Sequence, residues 1–103
     1  MNKYILNDAR EPVLCSDLME WGRWMETADD RRRVALWEKD GVKVSTVFLG
    51  LDHQFVPGEP LIFETMVFGG EWDGEQDRYS TWAEAQAGHD AIVARVQAPA
   101  TTE

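Results

Sequence analysis

The chain has 103 residues, 44% of them hydrophobic, which is enough for one small hydrophobic core. Its 19 acidic and 10 basic residues give a net charge of −9, which argues against direct binding to nucleic acid or an anionic membrane, because both need excess lysine and arginine. The single cysteine excludes an intrachain disulfide, and no leader or membrane-spanning run is recognisable, so we expect a cytoplasmic protein.

The N-terminal third is predicted to form a short hairpin followed by a helix. Residues 3–6 and 11–14 have strand character, and Pro12 restricts the second strand to an edge because proline has no N–H to donate. A helix is predicted to begin after Asp17, since Asp17 and Glu20 form a capping-box-like pair. The helix should fade near residues 27–30.

Three consecutive arginines, Arg31, Arg32 and Arg33, follow Asp29 and Asp30. Such a cluster could bind an anion. We interpret it instead as a solvated and locally neutralised helix end, where cations also suit the carbonyl end of the helix dipole.

Three strands are predicted in the middle of the chain, at residues 33–39, 42–49 and 61–68. Asp40 and Gly41 suit a type I′ hairpin turn between the first two, since both central positions need positive φ.

Strict alternation along the first of these strands predicts two faces. Val34, Leu36 and Glu38 would share one face of the sheet, and Ala35 and Trp37 the other.

The last third is predicted to contain an acidic loop at residues 71–77 and then a helix. Thr81 and Glu84 form the capping box of that helix. Its apolar stripe contains Ala85, His89, Ile92 and Val96. Together these elements predict an α+β domain over residues 1–97: an antiparallel sheet of three main strands, with the N-terminal hairpin, packed on one face against two helices. Residues 98–103 are predicted to be a disordered tail.

Two sets of polar residues are candidates for a functional site. The first contains Asp52, His53, Glu64 and His89, which could form a metal or acid–base site if the fold brings them together. Their spacing does not support this, because no second histidine lies one helical turn from His89, and a histidine at the edge of the core is the simpler interpretation. No nucleotide-binding, hydrolase or Cys–His motif is present, so we predict no cofactor and no metal.

The second set is the acidic loop, where an aromatic residue lies among carboxylates. Its candidate partner-binding residues are Glu71, Trp72, Asp73, Glu75 and Asp77. The glycine spacing does not match a calcium-binding EF-hand loop. The loop is therefore interpreted either as a plain surface turn or as a patch that recognises a basic protein surface.

Three blocks of the sequence resemble a family of small uncharacterised proteins of bacteriophages and prophages. The blocks are VSTVFLGLDH at residues 44–53, FETMVFGG at residues 63–70, and RYSTW at residues 78–82 followed by EA at 84–85 and GH at 88–89. The resemblance implies a viral or prophage accessory gene acting in the host cytoplasm. It implies no catalytic residue.

Small size, an excess of acidic residues and this resemblance lead to one main functional hypothesis. The chain is an accessory protein that binds a host or defence-system protein, and the partner has a basic surface. Inhibition by nucleic-acid mimicry is one mechanism for such a protein. The first alternative is a small metal-dependent or acid–base enzyme that uses Asp52, His53, Glu64 and His89. The second is a structural or virion-associated module that forms a homodimer by pairing edge strands.

Overall fold

The structure, a computed structural model, describes residues 2–52 and 58–98. It confirms the predicted α+β fold. The elements in chain order are β1 (Tyr4–Leu6), β2 (Pro12–Leu14), α1 (Leu18–Thr27), α2 (Asp29–Arg32), β3 (Arg33–Lys39), β4 (Val42–Phe48), β5 (Phe63–Phe68), β6 (Gln76–Tyr79) and α3 (Trp82–Gln97). From residue 99 onward, the predicted tail lies outside the described residues.

The main sheet is an antiparallel meander in the order β3-β4-β5-β6. Asp40 and Gly41 join β3 to β4 with φ angles of 53° and 81°, so both have the positive φ that the predicted type I′ turn needs. β1 and β2 form the predicted N-terminal hairpin as a separate two-stranded sheet.

The fourth strand, β6, was not predicted. Its sequence, Gln-Asp-Arg-Tyr, has no apolar alternation, and it forms because its backbone pairs with the open edge of β5, with Glu64 opposite Arg78. The predicted acidic loop is therefore divided between two structures. Residues 69–75 connect β5 to β6, whereas Asp77 belongs to β6 itself.

The alternation predicted for β3 is wrong at its start. The register with β4 shifts between Arg33 and Ala35, as in a β-bulge, which lets Val34 pack against the hydrophobic core. Beyond the shift, Leu36 lies opposite Ser45 on the open face of the sheet and is 42% exposed. Val34 and Leu36 therefore do not share a face.

α3 covers the other face of the sheet and contacts all four of its strands. Two clusters of buried residues form the core beneath it. The first contains Leu6, Phe48, Ile62, Phe63 and Ala85, and the second contains Val44, Val67 and Ile92.

α1 does not lie across the sheet beside α3, in contrast to the two-helix layer that we predicted. No residue of α1 is buried. The helix is attached through its tryptophans: the Trp24 ring meets Phe48 edge-on with 5.8 Å between centroids, and Trp21 Nε1 donates to the Gly50 carbonyl at 3.1 Å. α1 thus sits beside β1, at the end of the sheet where β4 finishes.

Both predicted helix caps are present. The Asp17 carboxylate accepts hydrogen bonds from the N–H groups of Met19 and Glu20. The Thr81 hydroxyl accepts from the Glu84 N–H and also donates to the Glu84 carboxylate at 3.1 Å. In the part of the chain that the structure describes, no helix combines the length and apolar character needed to span a bilayer.

Candidate functional site

His89 lies in a buried row of polar side chains between α3 and the sheet. It is 4% exposed, and its Nδ1 atom is 2.8 Å from the Thr46 hydroxyl oxygen. The Thr46 hydroxyl is in turn 2.5 Å from the Thr65 hydroxyl. The two threonines are direct partners across β4 and β5, so the sheet register places them together beneath α3. These three residues are named the Thr46–Thr65–His89 row below.

Burial governs the chemistry of His89. Desolvation lowers the pKa of His89 from the usual 6.5, and the nearby Asp90 carboxylate opposes this only in part. A neutral imidazole needs one acceptor and one donor partner, and a hydroxyl can serve as either. The Thr46–Thr65–His89 row therefore holds a neutral histidine in the interior, as the core-edge interpretation of the sequence expects.

Tyr79 approaches the same interior region from β6. Its ring lies against Gly88 of α3, where any side chain would collide with it. The Tyr79 hydroxyl is buried, and within the described residues it has no hydrogen-bond partner of good geometry. Burial is the main reason why the pKa of Tyr79 is raised above 10.0, and an interaction with the nearby Thr65 hydroxyl opposes the rise only in part.

Glu64 lies on the opposite side of the sheet from His89. Successive strand residues point to opposite faces, so the side chain of Glu64 faces away from that of its neighbour Thr65, which joins the buried row. On the open face, Glu64 Oε2 pairs with Arg78 Nε at 3.0 Å. The structure therefore does not bring Glu64 and His89 into one site.

The remaining members of that candidate set lie near the chain segment after β4. Asp52 Oδ1 accepts a hydrogen bond from the Leu61 N–H at 3.3 Å. His53 lies outside the described residues. Across residues 2–52 and 58–98, no three His, Cys, Asp or Glu side chains are grouped closely enough to hold a metal ion.

The acidic turn between β5 and β6 is built partly by its own candidate residues. Asp73 Oδ1 accepts from the Gly69 N–H at 2.6 Å, which closes the turn. Glu75 Oε1 pairs with Arg95 Nη1 of α3 at 3.0 Å. Trp72 packs against the second core cluster, and the Arg95 guanidinium lies 5.5 Å from its ring centre. These three side chains are engaged within the protein.

Glu71 and Asp77 are the members of that set most available to a partner. Both are exposed, and neither forms an ion pair with another described residue, although Asp77 Oδ1 accepts a hydrogen bond from the Arg78 N–H at 2.9 Å. Contact between these residues and a partner stays a prediction, and the structure identifies the two positions at which it can be tested without disturbing the turn.

An exposed apolar surface was missed in the sequence. Among the described residues, six large hydrophobic side chains are exposed, and four of them are within residues 13–19. These four are Val13 at 42%, Leu14 at 59%, Leu18 at 59% and Met19 at 71% exposure. We name them the 13–19 apolar surface. It has two parts: Val13 and Leu14 on β2, which point to opposite faces of the hairpin, and Leu18 and Met19 at the start of α1. Its signal in the sequence was the adjacency of Leu18 and Met19, because neighbouring helical residues cannot both point into one narrow buried stripe.

Comparison of the chain with known protein families, with curated proteins and with solved structures finds no match.

Proposed function

We propose that this protein acts by binding a partner protein, and that the 13–19 apolar surface is the centre of the contact. The observation that carries the proposal is the concentration of exposed Val13, Leu14, Leu18 and Met19 in one short segment. Isolated exposed apolar residues are normal in a soluble protein, but grouped ones are typical of interaction sites.

The charges around this surface indicate the kind of partner. Glu11, Asp17 and Glu20 are exposed beside the four apolar residues. One helical turn further on, Arg23 and Glu26 border Leu18 and Met19. The whole chain also has a charge of −9. An apolar centre with a mainly acidic rim is complementary to a partner surface with an apolar centre and a rim rich in lysine and arginine, and opposite charges also accelerate encounter.

The resemblance to phage and prophage proteins supports a more specific version. In that version the protein is a phage-type accessory protein, and its partner is a host or defence-system protein with a basic surface. Exposed carboxylates, including Glu71 in the β5–β6 turn and Asp77 in β6, would then occupy positions that nucleic-acid phosphates take on the partner. Inhibition by mimicry follows from such binding.

The test is affinity capture of host proteins, quantified by mass spectrometry, with matched surface variants. Met19→Lys and Leu18→Lys should each reduce recovery of the specific partner at least about tenfold, because they place a charge in the apolar centre. Leu36→Lys is the control, since Leu36 is also an exposed apolar residue, 42% accessible, but lies on the open sheet face. Equal recovery with Met19→Lys and with the wild type would refute the 13–19 apolar surface as the contact.

Light scattering over a wide concentration range separates partner binding from self-association. The proposal expects a monomer. A dimer that Met19→Lys dissociates would assign the surface to a second copy of the chain and overturn the proposal. Charge reversal at Glu71, compared with reversal at the exposed Glu59, tests the acidic turn separately, and loss of binding only in Glu71→Lys supports that contact.

A further inference from the structure

A cleft lies where the β1–β2 hairpin, the α1–α2 corner and the start of α3 meet. It has a volume of about 270 Å³. Its polar lining includes Arg10, Arg31 and Arg33, and its apolar lining includes Trp24, Trp82 and the buried Leu6. The volume is slightly below the ~300–1,000 Å³ range of small-molecule sites, so a ligand would be small.

Two of the cleft arginines lie over tryptophan rings at cation–π distance. The Arg10 guanidinium lies 4.7 Å from the Trp82 ring centre, and the Arg31 guanidinium lies 5.5 Å from the Trp24 ring centre. A cation–π contact restricts the position of a guanidinium without using its N–H donors in an ion pair, so these donors can bind an anion. Arg10 is further fixed by its position in the hairpin turn, where its φ is 62°.

These arginines are not neutralised by ion pairs within the described part of the chain. The ion pairs there are Arg78–Glu64 and Arg95–Glu75, both elsewhere. Arg32, between the two cleft arginines of the run, has a different role, because its Nε donates to the Phe48 carbonyl at 3.3 Å. The fold thus turns Arg32 toward the sheet and leaves Arg31 and Arg33 on the cleft.

The net charge of the cleft indicates the charge of its ligand. Asp8 and Asp30 also line the cleft, so its three arginines and two carboxylates give a net charge of 3 − 2 = +1. One negative charge balances this site, whereas a polyanion would also meet the repulsion of a chain with a net charge of −9. Planar, bidentate recognition by guanidinium groups suits a carboxylate, and the tryptophan and leucine side chains suit a flat apolar body.

We propose that the cleft between Trp24 and Trp82 is a binding site for a small organic carboxylate with an apolar body, held by Arg10, Arg31 and Arg33. The site is distinct from the 13–19 apolar surface, so it does not depend on the proposed protein partner.

The experiment uses the full chain and three probes: benzoate, its neutral isostere benzamide, and inorganic phosphate. Binding is followed by NMR of the indole N–H signals, with Trp24→Phe and Trp82→Phe identifying the two cleft tryptophans among the five. Benzoate should shift the Trp24 and Trp82 signals saturably with a dissociation constant of about 1–10 mM, as expected for a fragment of this size. Benzamide should not, and added salt should weaken binding of benzoate.

Single variants assign the arginines. Arg10→Gln and Arg31→Gln should each weaken benzoate binding about tenfold, because each removes a charged donor. Arg23→Gln is the matched control, since Arg23 is an exposed arginine of α1 outside this cleft, and it should bind as the wild type does. Unchanged amide spectra establish that each variant is folded.

Four results would overturn the inference. They are no saturable shift by about 50 mM benzoate, equal shifts with benzamide, equal weakening by Arg23→Gln, or tighter binding of phosphate than of benzoate. The last result would define a general anion site in place of a carboxylate site.

Discussion

His89 is an interior histidine whose partner is a hydroxyl group, and this environment determines its response to acid. Burial lowers the pKa of His89 below the 6.5 of an unperturbed histidine. The unfolded chain therefore takes up a proton at His89 at a higher pH than the folded protein does. The resulting contribution to stability is complete above pH ~6.5 and is lost as the pH falls through the lowered pKa of the folded state.

We expect the free energy of unfolding to decline more steeply between pH ~6.5 and pH ~5 in the wild type than in His89→Gln, whose amide can bond to Thr46 but does not titrate. Urea unfolding at a series of pH values measures the two slopes. His53→Gln, measured in parallel, gives the contribution of the other histidine of the chain. Equal slopes in the wild type and His89→Gln would show that His89 is not the titrating group.

Tyr79 and Thr46 are both buried hydroxyl residues, but their hydrogen bonding differs. Thr46 bonds to Thr65 and His89, whereas the Tyr79 hydroxyl has no good partner among the described residues. Thr46→Val should therefore destabilise the protein by about 1–3 kcal/mol, because it leaves two buried polar atoms unpaired. Tyr79→Phe should change stability by less than about 0.5 kcal/mol. Urea midpoints measure both changes, and a Tyr79→Phe loss as large as that of Thr46→Val would reveal a bond to the phenol.

At the scale of elements, the two helices differ in what surrounds their internal glycines. A side chain at Gly88 of α3 would collide with the Tyr79 ring, whereas a methyl group at Gly22 of α1 would meet nothing within 4 Å. Neither glycine has positive φ. The lack of a side chain at Gly88 lets α3 pack closely against Tyr79 of β6. Gly22 makes no comparable close contact in α1.

Replacing glycine by alanine should consequently change the free energy of unfolding in opposite directions in the two helices. Gly22→Ala should stabilise the protein by about 0.5–1 kcal/mol, because alanine favours the helix. Gly88→Ala should destabilise it by about 1–3 kcal/mol through overpacking. Thermal unfolding compares the two variants. In a Tyr79→Leu background, which lacks the ring end, Gly88→Ala should cause a smaller loss, and an undiminished loss there would locate the clash elsewhere.

Elements with a local signal were predictable, and those that depend on pairing were not. Asp40-Gly41 and the two helix caps are local, because the turn and cap chemistry needs only neighbouring residues. β6 and the shift at Val34 depend on backbone pairing with β5 and β4, which no periodicity within Gln76–Tyr79 or Arg33–Lys39 encodes. The candidate site could not be predicted for the same reason. Which face of β5 is covered by α3 depends on the packing of the sheet, and this places Glu64 on the face opposite His89.

At the scale of the whole molecule, the excess of acidic residues affects stability as well as recognition. The chain of 103 residues has a net charge of −9. Folding brings these charges closer together, so their mutual repulsion destabilises the folded state. Two ion pairs, Glu64–Arg78 and Glu75–Arg95, link acidic and basic residues within the described ranges. Repulsion among the remaining exposed carboxylates should therefore weaken when dissolved ions screen their charges.

We expect the melting temperature to rise as salt increases from about 10 mM to about 150 mM, since the screening length shortens from ~30 Å to ~8 Å. Glu71→Lys should reduce this salt dependence, because it lowers the net charge from −9 to −7 at an exposed position. Calorimetry at several ionic strengths measures the effect, and sucrose at matched osmolarity should not reproduce it. A melting temperature that falls with salt would show that attractive pairs dominate.

The alternation in β5 also guards the chain against mispairing. If β5 slipped by one residue against β4, its faces would exchange, and the Glu64 carboxylate would enter the layer beneath α3 while Phe63 entered water. An ionised carboxylate buried away from Arg78 would be strongly unfavourable. A register shifted by one residue is therefore much less stable than the native register. Glu64 on the open face and Thr65 on the buried face thus help to fix the alignment of β5 against β4.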